Sequence, residues 1–268
     1  MNKKNEIYRN EGAGSLPDGY WERVCEVRSA QNFNEFYSHY FSRHLSVLIT
    51  AALSYTVISP NQVTLSMIFW GLLGATLISQ GTPFCYFLGG VSLMMLNVAD
   101  AVDGELARYL KKTSTTGDYL DRVAHYITNS AAILGMGMGL FFQYGSVVPL
   151  IVAVMVEIVY TFDQVARDLL ITCGVIQVTD GDRKKAKFQT RIFKTSPLSF
   201  RLAQMVGTNM AFFHLTAIFG LIDWMLISAN VLALNEIGLT AVYFCFFGLI
   251  TFVKAVSRVG KINSLYFN

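Results

Sequence analysis

Six apolar runs, each near the 20 or so residues that a bilayer demands of a helix, alternate with polar breaks along this chain, all short but the one before the fifth run. They cover about 62–79, 83–110, 117–142, 147–171, 206–229 and 238–256. Ser59-Pro60-Asn61 breaks the chain before the first run, Gly81-Thr82-Pro83 turns into the second and Tyr144-Gly145-Ser146 into the fourth. Ahead of the runs, from Phe33 to Tyr55, apolar residues recur at helical spacing, as in Phe33, Phe36, Tyr40, Val47 and Ala51. His39, Arg43 and His44 are interleaved with them, which predicts an amphipathic helix lying in the membrane interface, with an ordinary packing helix as the alternative. Residues 1–32 are polar and mixed in charge, with Gly12, Gly14 and Pro17 as breakers, and read as a cytosolic arm. The expected fold is all-α: a polytopic membrane bundle of six transmembrane helices plus the N-terminal interfacial helix, forming one membrane domain over 33–268.

Composition sharpens this. The chain is 53% hydrophobic and 15% charged, with a mean hydropathy of +0.43, which excludes an ordinary soluble enzyme. The N-terminus lacks the apolar core of a signal peptide, so insertion is expected to rely on the internal spans. Four scattered cysteines with no C-x-x-C pair give neither a disulfide framework nor a zinc site. With the N-terminus inside, the outer turns fall near 80–82, 143–146 and 230–237, and none holds a Lys or Arg; all 21 basic residues lie on inner segments or inner span ends. The positive-inside rule then places both termini in the cytosol, at the inner membrane if the cell is bacterial. A basic loop over about 174–201, carrying Arg183, Lys184, Lys185, Lys187, Arg191 and Lys194, shares that side. It serves either to attract anionic headgroups or a phosphorylated substrate, or as a topology signal alone.

The candidate chemistry lies between Asp100 and His125. Asp100, Asp103, Gly104 and Ala107 share a helix face at the end of the second span, and Gly117, Asp118, Asp121 and His125 share one at the start of the third. The loop between them is short, so the two helices are expected to be antiparallel neighbours with these faces converging. Carboxylates on apolar helices cost roughly 2.5–3.5 kcal/mol each at a bilayer midplane on insertion scales, and a bound divalent metal is the obvious compensation. Oxygen-rich clusters suit Mg²⁺ or Mn²⁺, and paired ions are a known device for phosphoryl displacement. Gly104, Ala107 and Gly117 have little or no side chain, leaving room for a helix or a ligand to approach.

This pattern resembles the CDP-alcohol phosphotransferases, whose signature is D-x-x-D-G-x-x-A-R, eight or nine residues, then G-x-x-x-D-x-x-x-D. Asp100, Asp103, Gly104, Ala107, Arg108, Gly117 and Asp121 match it in type and spacing. Pro60-Asn61-x-x-Thr64 is similar to the P-N-x-x-T sequence at the start of the family's first span. The resemblance covers about 33–260. It implies transfer of a substituted phosphoryl group from a CDP-linked alcohol, CDP-diacylglycerol by first expectation, to an acceptor alcohol or alcohol phosphate, with release of CMP. It also implies two divalent ions held by Asp100, Asp103 and Asp121, a CDP site lined by Gly104, Ala107, Arg108, Gly117, Asn61 and Thr64, contact with membrane lipids and no nucleic acid, and a homodimer.

The departure is at the fourth signature position, where the family's Asp is His125. Three readings compete: His125 takes the acceptor's proton beside Asp121; the site binds metal and CDP but is catalytically silent, serving binding or assembly; or Asp118 takes over ligation. An imidazole with an unperturbed pKa near 6.5 suits proton abstraction at neutral pH. Glu157, Asp163 and Asp223 are further candidates, to line an acceptor cavity, and Arg122, Arg167, Lys254 and Arg258 to grip an acceptor phosphate; a structural ion pair or snorkelling is the commoner explanation for each. Glu105 and Tyr109 flank the motif with no assignable role.

Overall fold

A computed structural model describes residues 19–29, 42–172, 209–231 and 238–266. Among these residues the chain is all-helical, in the order α1 (Tyr20–Ser29), α2 (Ser42–Leu53), α3 (Pro60–Ile78), α4 (Pro83–Tyr109), α5 (Thr115–Tyr144), α6 (Val148–Thr172), α7 (Asn209–Ser228) and α8 (Leu239–Tyr266). The helices α3, α4, Val148–Ala166 of α6 and Leu239–Val256 of α8 are each long and apolar enough to cross a membrane, so the chain is a polytopic helical bundle. The 30-residue α5 has the length, but His125, Thr128, Asn129, Ser130 and its glycines dilute its apolar character. The apolar part of α7, Phe212–Ser228, is shorter.

The local chemistry explains where the helices start. Ser59 caps α3 in a capping box, its hydroxyl accepting from Gln62 N while the Gln62 side chain accepts from Ser59 N, and Pro60 takes the first turn, where no N–H is needed. Thr82 caps α4, its hydroxyl accepting from Cys85 N, and Pro83 takes the first turn. The α5 helix opens on Ser114, whose Oγ accepts from Gly117 N at 3.0 Å, and closes on Gly145 at φ 64°.

At the centre stands α4, packed on α3, α7 and α2, while α5 packs on α3 and α6. Glycine lets α5 come this close to α3. A Cβ on Gly135 would lie 2.7 Å from the Ala75 carbonyl oxygen, and one on Gly139 would collide with that of Ile78. The core is lined by Met67, Leu93, Leu96, Leu106, Met136 and Phe244, all essentially without exposure. On the far side of α4, rings of Phe212, Phe219, Tyr243 and Phe247 join α7 to α8.

Three features depart from the sequence reading or add to it. The stretch 20–29, inside the supposed polar arm, is a helix: Val24 and Val27 bury against Val47 and Ala51 of α2. Arg23 donates to the carbonyl and hydroxyl of Ser54 and lies over the Tyr55 ring, 3.7 Å from its centroid. The expected interfacial helix is present as α2 over its second half; residues 33–41 and the basic loop lie outside the described residues.

The third is Asp223. Its buried carboxylate caps α8, accepting from Leu239 N and Thr240 N, both at 2.9 Å, and from Thr240 Oγ1 at 2.8 Å. Tyr144 Oη accepts from Gly238 N at 3.1 Å beside it. Asp223→Ala is expected to leave those donors buried without an acceptor, costing on the order of 1–3 kcal/mol and lowering the thermal unfolding midpoint of detergent-solubilised protein. An unchanged midpoint would remove the capping role.

Candidate functional site

The first turn of α3, the second half of α4 and the first two turns of α5 meet around a half-open cavity of about 320 Å³ at one end of the bundle. The α4–α5 junction is tight. Lys111 adopts φ 54°, Lys112 N donates to the Ala107 carbonyl at 2.8 Å, and Ser114 starts the next helix. That reversal lets the motif faces converge, as their spacing predicts, although α4 and α5 pack on α3 rather than on each other.

Ten of the sequence-predicted residues line the cavity: Asn61 and Thr64 from α3; Asp100, Asp103, Gly104, Ala107 and Arg108 from α4; Gly117, Asp118 and Asp121 from α5. Asp103 is buried, and its Oδ2 accepts a 2.6 Å hydrogen bond from Thr64 Oγ1. This contact ties the P-N-x-x-T segment to the aspartate motif. Gly117 lies beside the start of α3: a Cβ built on it would be 3.4 Å from Asn61 Oδ1, in ordinary van der Waals contact.

His125 stands outside the cavity wall, with a side chain 37% exposed. Its Nε2 lies 3.2 Å from Asp100 Oδ1 and 3.4 Å from Asp121 Oδ1. One ligand atom from each of Asp100, Asp121 and His125 lies within 4.8 Å of the others, close enough to share a cation. The two carboxylates suit Mg²⁺ or Mn²⁺, whereas the imidazole nitrogen is a donor that such hard, oxygen-preferring ions favour less. Asp121 Oδ1 is buried and makes no hydrogen bond, an orphaned anionic oxygen of the kind that a cation satisfies. Asp103 and Asp118 lie outside that trio but on the same cavity wall.

Residues missed by the sequence reading complete the wall, among them Asn97, Glu105, Lys112 and Ser114. Ser114 had a signal, a serine directly before a helical run. Glu105 had none: Ser46 and Thr50, more than 50 positions earlier on α2, donate to its Oε1 and Oε2 at 2.9 and 3.1 Å. These bonds compensate a carboxylate that is 4% exposed, and they pin α2 across the motif. Tyr109 Oη donates to Glu26 of α1 at 3.0 Å.

The expected acceptor residues fall elsewhere. Glu157 accepts from Ser130 Oγ and Thr161 Oγ1 between α5 and α6, and Arg122 pairs with Asp168 at 3.7 Å. Neither these nor Asp163 line the cavity. The side chains of Arg167 and Arg258 lie outside the described residues.

The chain is 31% identical over 87 residues to a protein named bifunctional IPC transferase and DIPP synthase from Thermococcus kodakarensis; the aligned stretch is 31% of this chain and 19% of that protein. The chain thus spans about a fifth of that relative's length. The family model for CDP-alcohol phosphatidyltransferase matches residues 57–234, which begin just before the α3 capping box and include both halves of the aspartate motif. With that match over more than half its length, the chain belongs to the CDP-alcohol phosphatidyltransferase family.

Proposed function

We propose that the protein transfers a substituted phosphoryl group from a CDP-linked alcohol to an acceptor hydroxyl, releasing CMP, at the cytosolic face of a membrane. The observation that carries this reading is the disposition of His125: Asp100 and Asp121 line the nucleotide-sized cavity, and the His125 imidazole stands 3.2 and 3.4 Å from them without lining it. In-line displacement at phosphorus needs that separation, because the attacking and leaving oxygens lie on opposite sides.

In this mechanism Gly104, Ala107, Arg108, Gly117, Asn61 and Thr64 hold the CDP moiety, and Asp100, Asp103 and Asp121, joined by Asp118 at the rim, hold the divalent ions. Such ions, Mg²⁺ or Mn²⁺ and two in number, neutralise the diphosphate and the charge that develops on departing CMP. The acceptor oxygen forms a bond to the phosphorus distal to the cytidine. The bond from that phosphorus to the bridging oxygen breaks, CMP leaves with the electron pair, and His125 takes the acceptor's proton. Positioning supplies much of the rate.

A cavity of about 320 Å³ stands at the small end of the roughly 300–1,000 Å³ usual for ligand sites, room for a nucleoside diphosphate but not for acyl chains. The alcohol portion therefore leaves it at the end away from the cytidine, toward the apolar length of the helices, which favours CDP-diacylglycerol with its tails in the bilayer and a small polar acceptor. Six spans, α3 to α8, with both termini cytosolic, and pairing into a homodimer belong to the same reading; the distribution of the 21 basic residues supports the orientation.

The test is CMP release by protein reconstituted in lipid, given CDP-diacylglycerol, Mn²⁺ or Mg²⁺, and pools of alcohols and alcohol phosphates. Metal-dependent release confined to one acceptor pool is expected. Metal-dependent CDP binding without release from any combination, a CDP-linked polar headgroup with a lipid alcohol included, would favour a silent binding protein.

A further inference from the structure

Asn97 is 3% exposed, lies in the cavity wall, and its Nδ2 makes no hydrogen bond. Buried amides ordinarily find partners, so an amide donor left idle in the wall of a ligand cavity marks a place where the ligand supplies the acceptor. We propose that Asn97 binds the donor substrate directly, donating from Nδ2 to an oxygen of the distal phosphoryl group, the one being transferred. The assignment rests on the nucleotide reading of the cavity given above.

Helix rise fixes which part of the ligand it meets. Arg108 and Ala107 lie toward the C-terminus of α4, at the mouth; Asp103 and Asp100 come next, and Asn97 is deepest. At 1.5 Å per residue Asn97 stands about 4.5 Å beyond Asp100, about 9 Å beyond Asp103 and about 16 Å beyond Arg108. With the nucleoside at the small residues of the mouth and the diphosphate at the carboxylates, the first atoms to reach Asn97 are those of the phosphoryl group farther from the cytidine. The residue type suits the task. A carboxylate there would repel the phosphate, and a lysine would pair with Asp100 and compete with a cation for it. A neutral amide does neither, and its N–H can meet charge that the metal ligands leave uncovered.

Binding of CDP and of CMP, each with Mn²⁺, tests this without turnover, because CMP lacks the distal phosphate. Asn97→Ala is expected to weaken CDP about tenfold, as for the loss of one hydrogen bond to a charged group, while CMP changes less than about twofold. Asn97→Asp, which replaces the donor by a negative acceptor, is expected to weaken CDP further and again to spare CMP. Retained CMP affinity shows that the variants are folded. Wild-type protein that binds both ligands, with variants that lose both equally or neither, would overturn the assignment alone. Wild-type protein that binds neither ligand would overturn the nucleotide reading and Asn97 with it.

Discussion

Asp103→Asn is expected to abolish metal-dependent CDP binding, with a loss exceeding the roughly 10–100-fold typical of residues that merely support a metal ligand. Asp103 is the most buried of the motif aspartates, 8% exposed, and Thr64 engages only its Oδ2. The other oxygen keeps the negative charge available to a cation at the cavity wall. Asparagine preserves the shape and still accepts from Thr64, so the helix packing survives; what it removes is the charge that a hard cation requires. Titration of CDP with and without Mn²⁺, on wild type and variant in the same lipid, separates the two effects. Wild-type affinity in the variant would sink the assignment of Asp103 as a metal ligand. Asp223→Ala supplies the contrast: it removes a buried carboxylate at the cap of α8, away from the cavity wall, and is expected to change stability while leaving CDP affinity alone.

How much of this could be read in advance follows from how local each cause is. The ends of α3 to α6 fall within about two residues of the predicted spans, because Ser59-Pro60, Thr82-Pro83, Ser114 and Gly145 act on the turn beside them. The convergence of the motif halves was legible for the same reason, a short turn between two strongly patterned helices. Contacts between distant segments were not. Glu105 finds Ser46 and Thr50 more than 50 positions away, and Arg23 finds Ser54 at a separation of 31, so neither the internal anchoring of α2 nor the existence of α1 had a periodic signature. Asp223 illustrates the opposite error. An aspartate in an apolar run reads as functional by default, yet here it answers the exposed N–H groups of another helix, a demand set by the fold rather than by any ligand. Asn97 was passed over because asparagine in a span is unremarkable until its unmet hydrogen bond is seen.

His125→Ala is expected to lower kcat for CMP release by about 10²–10⁴-fold, the usual worth of a general base, while metal-dependent CDP affinity falls only slightly. The split matters because the geometry admits two roles that exclude each other at one atom. Nε2 lies within reach of Asp100 and Asp121; when it carries a proton it donates to these carboxylates, and when it does not its lone pair either takes a proton from the acceptor or binds a cation, not both at once. A base lost to alanine leaves the three aspartates and their cation in place, so CDP still binds. A ligand lost to alanine weakens binding and turnover together. His125→Asp sharpens the distinction. It restores the family's fourth carboxylate beside Asp100 and Asp121, where added negative charge tightens divalent-ion binding. Turnover at or above the wild-type level then shows the position to be the family's base with a different side chain. Turnover that vanishes while CDP binding is kept shows a histidine matched to a particular acceptor. Parallel loss of CDP affinity and turnover in His125→Ala would end the base reading and make the imidazole a metal ligand.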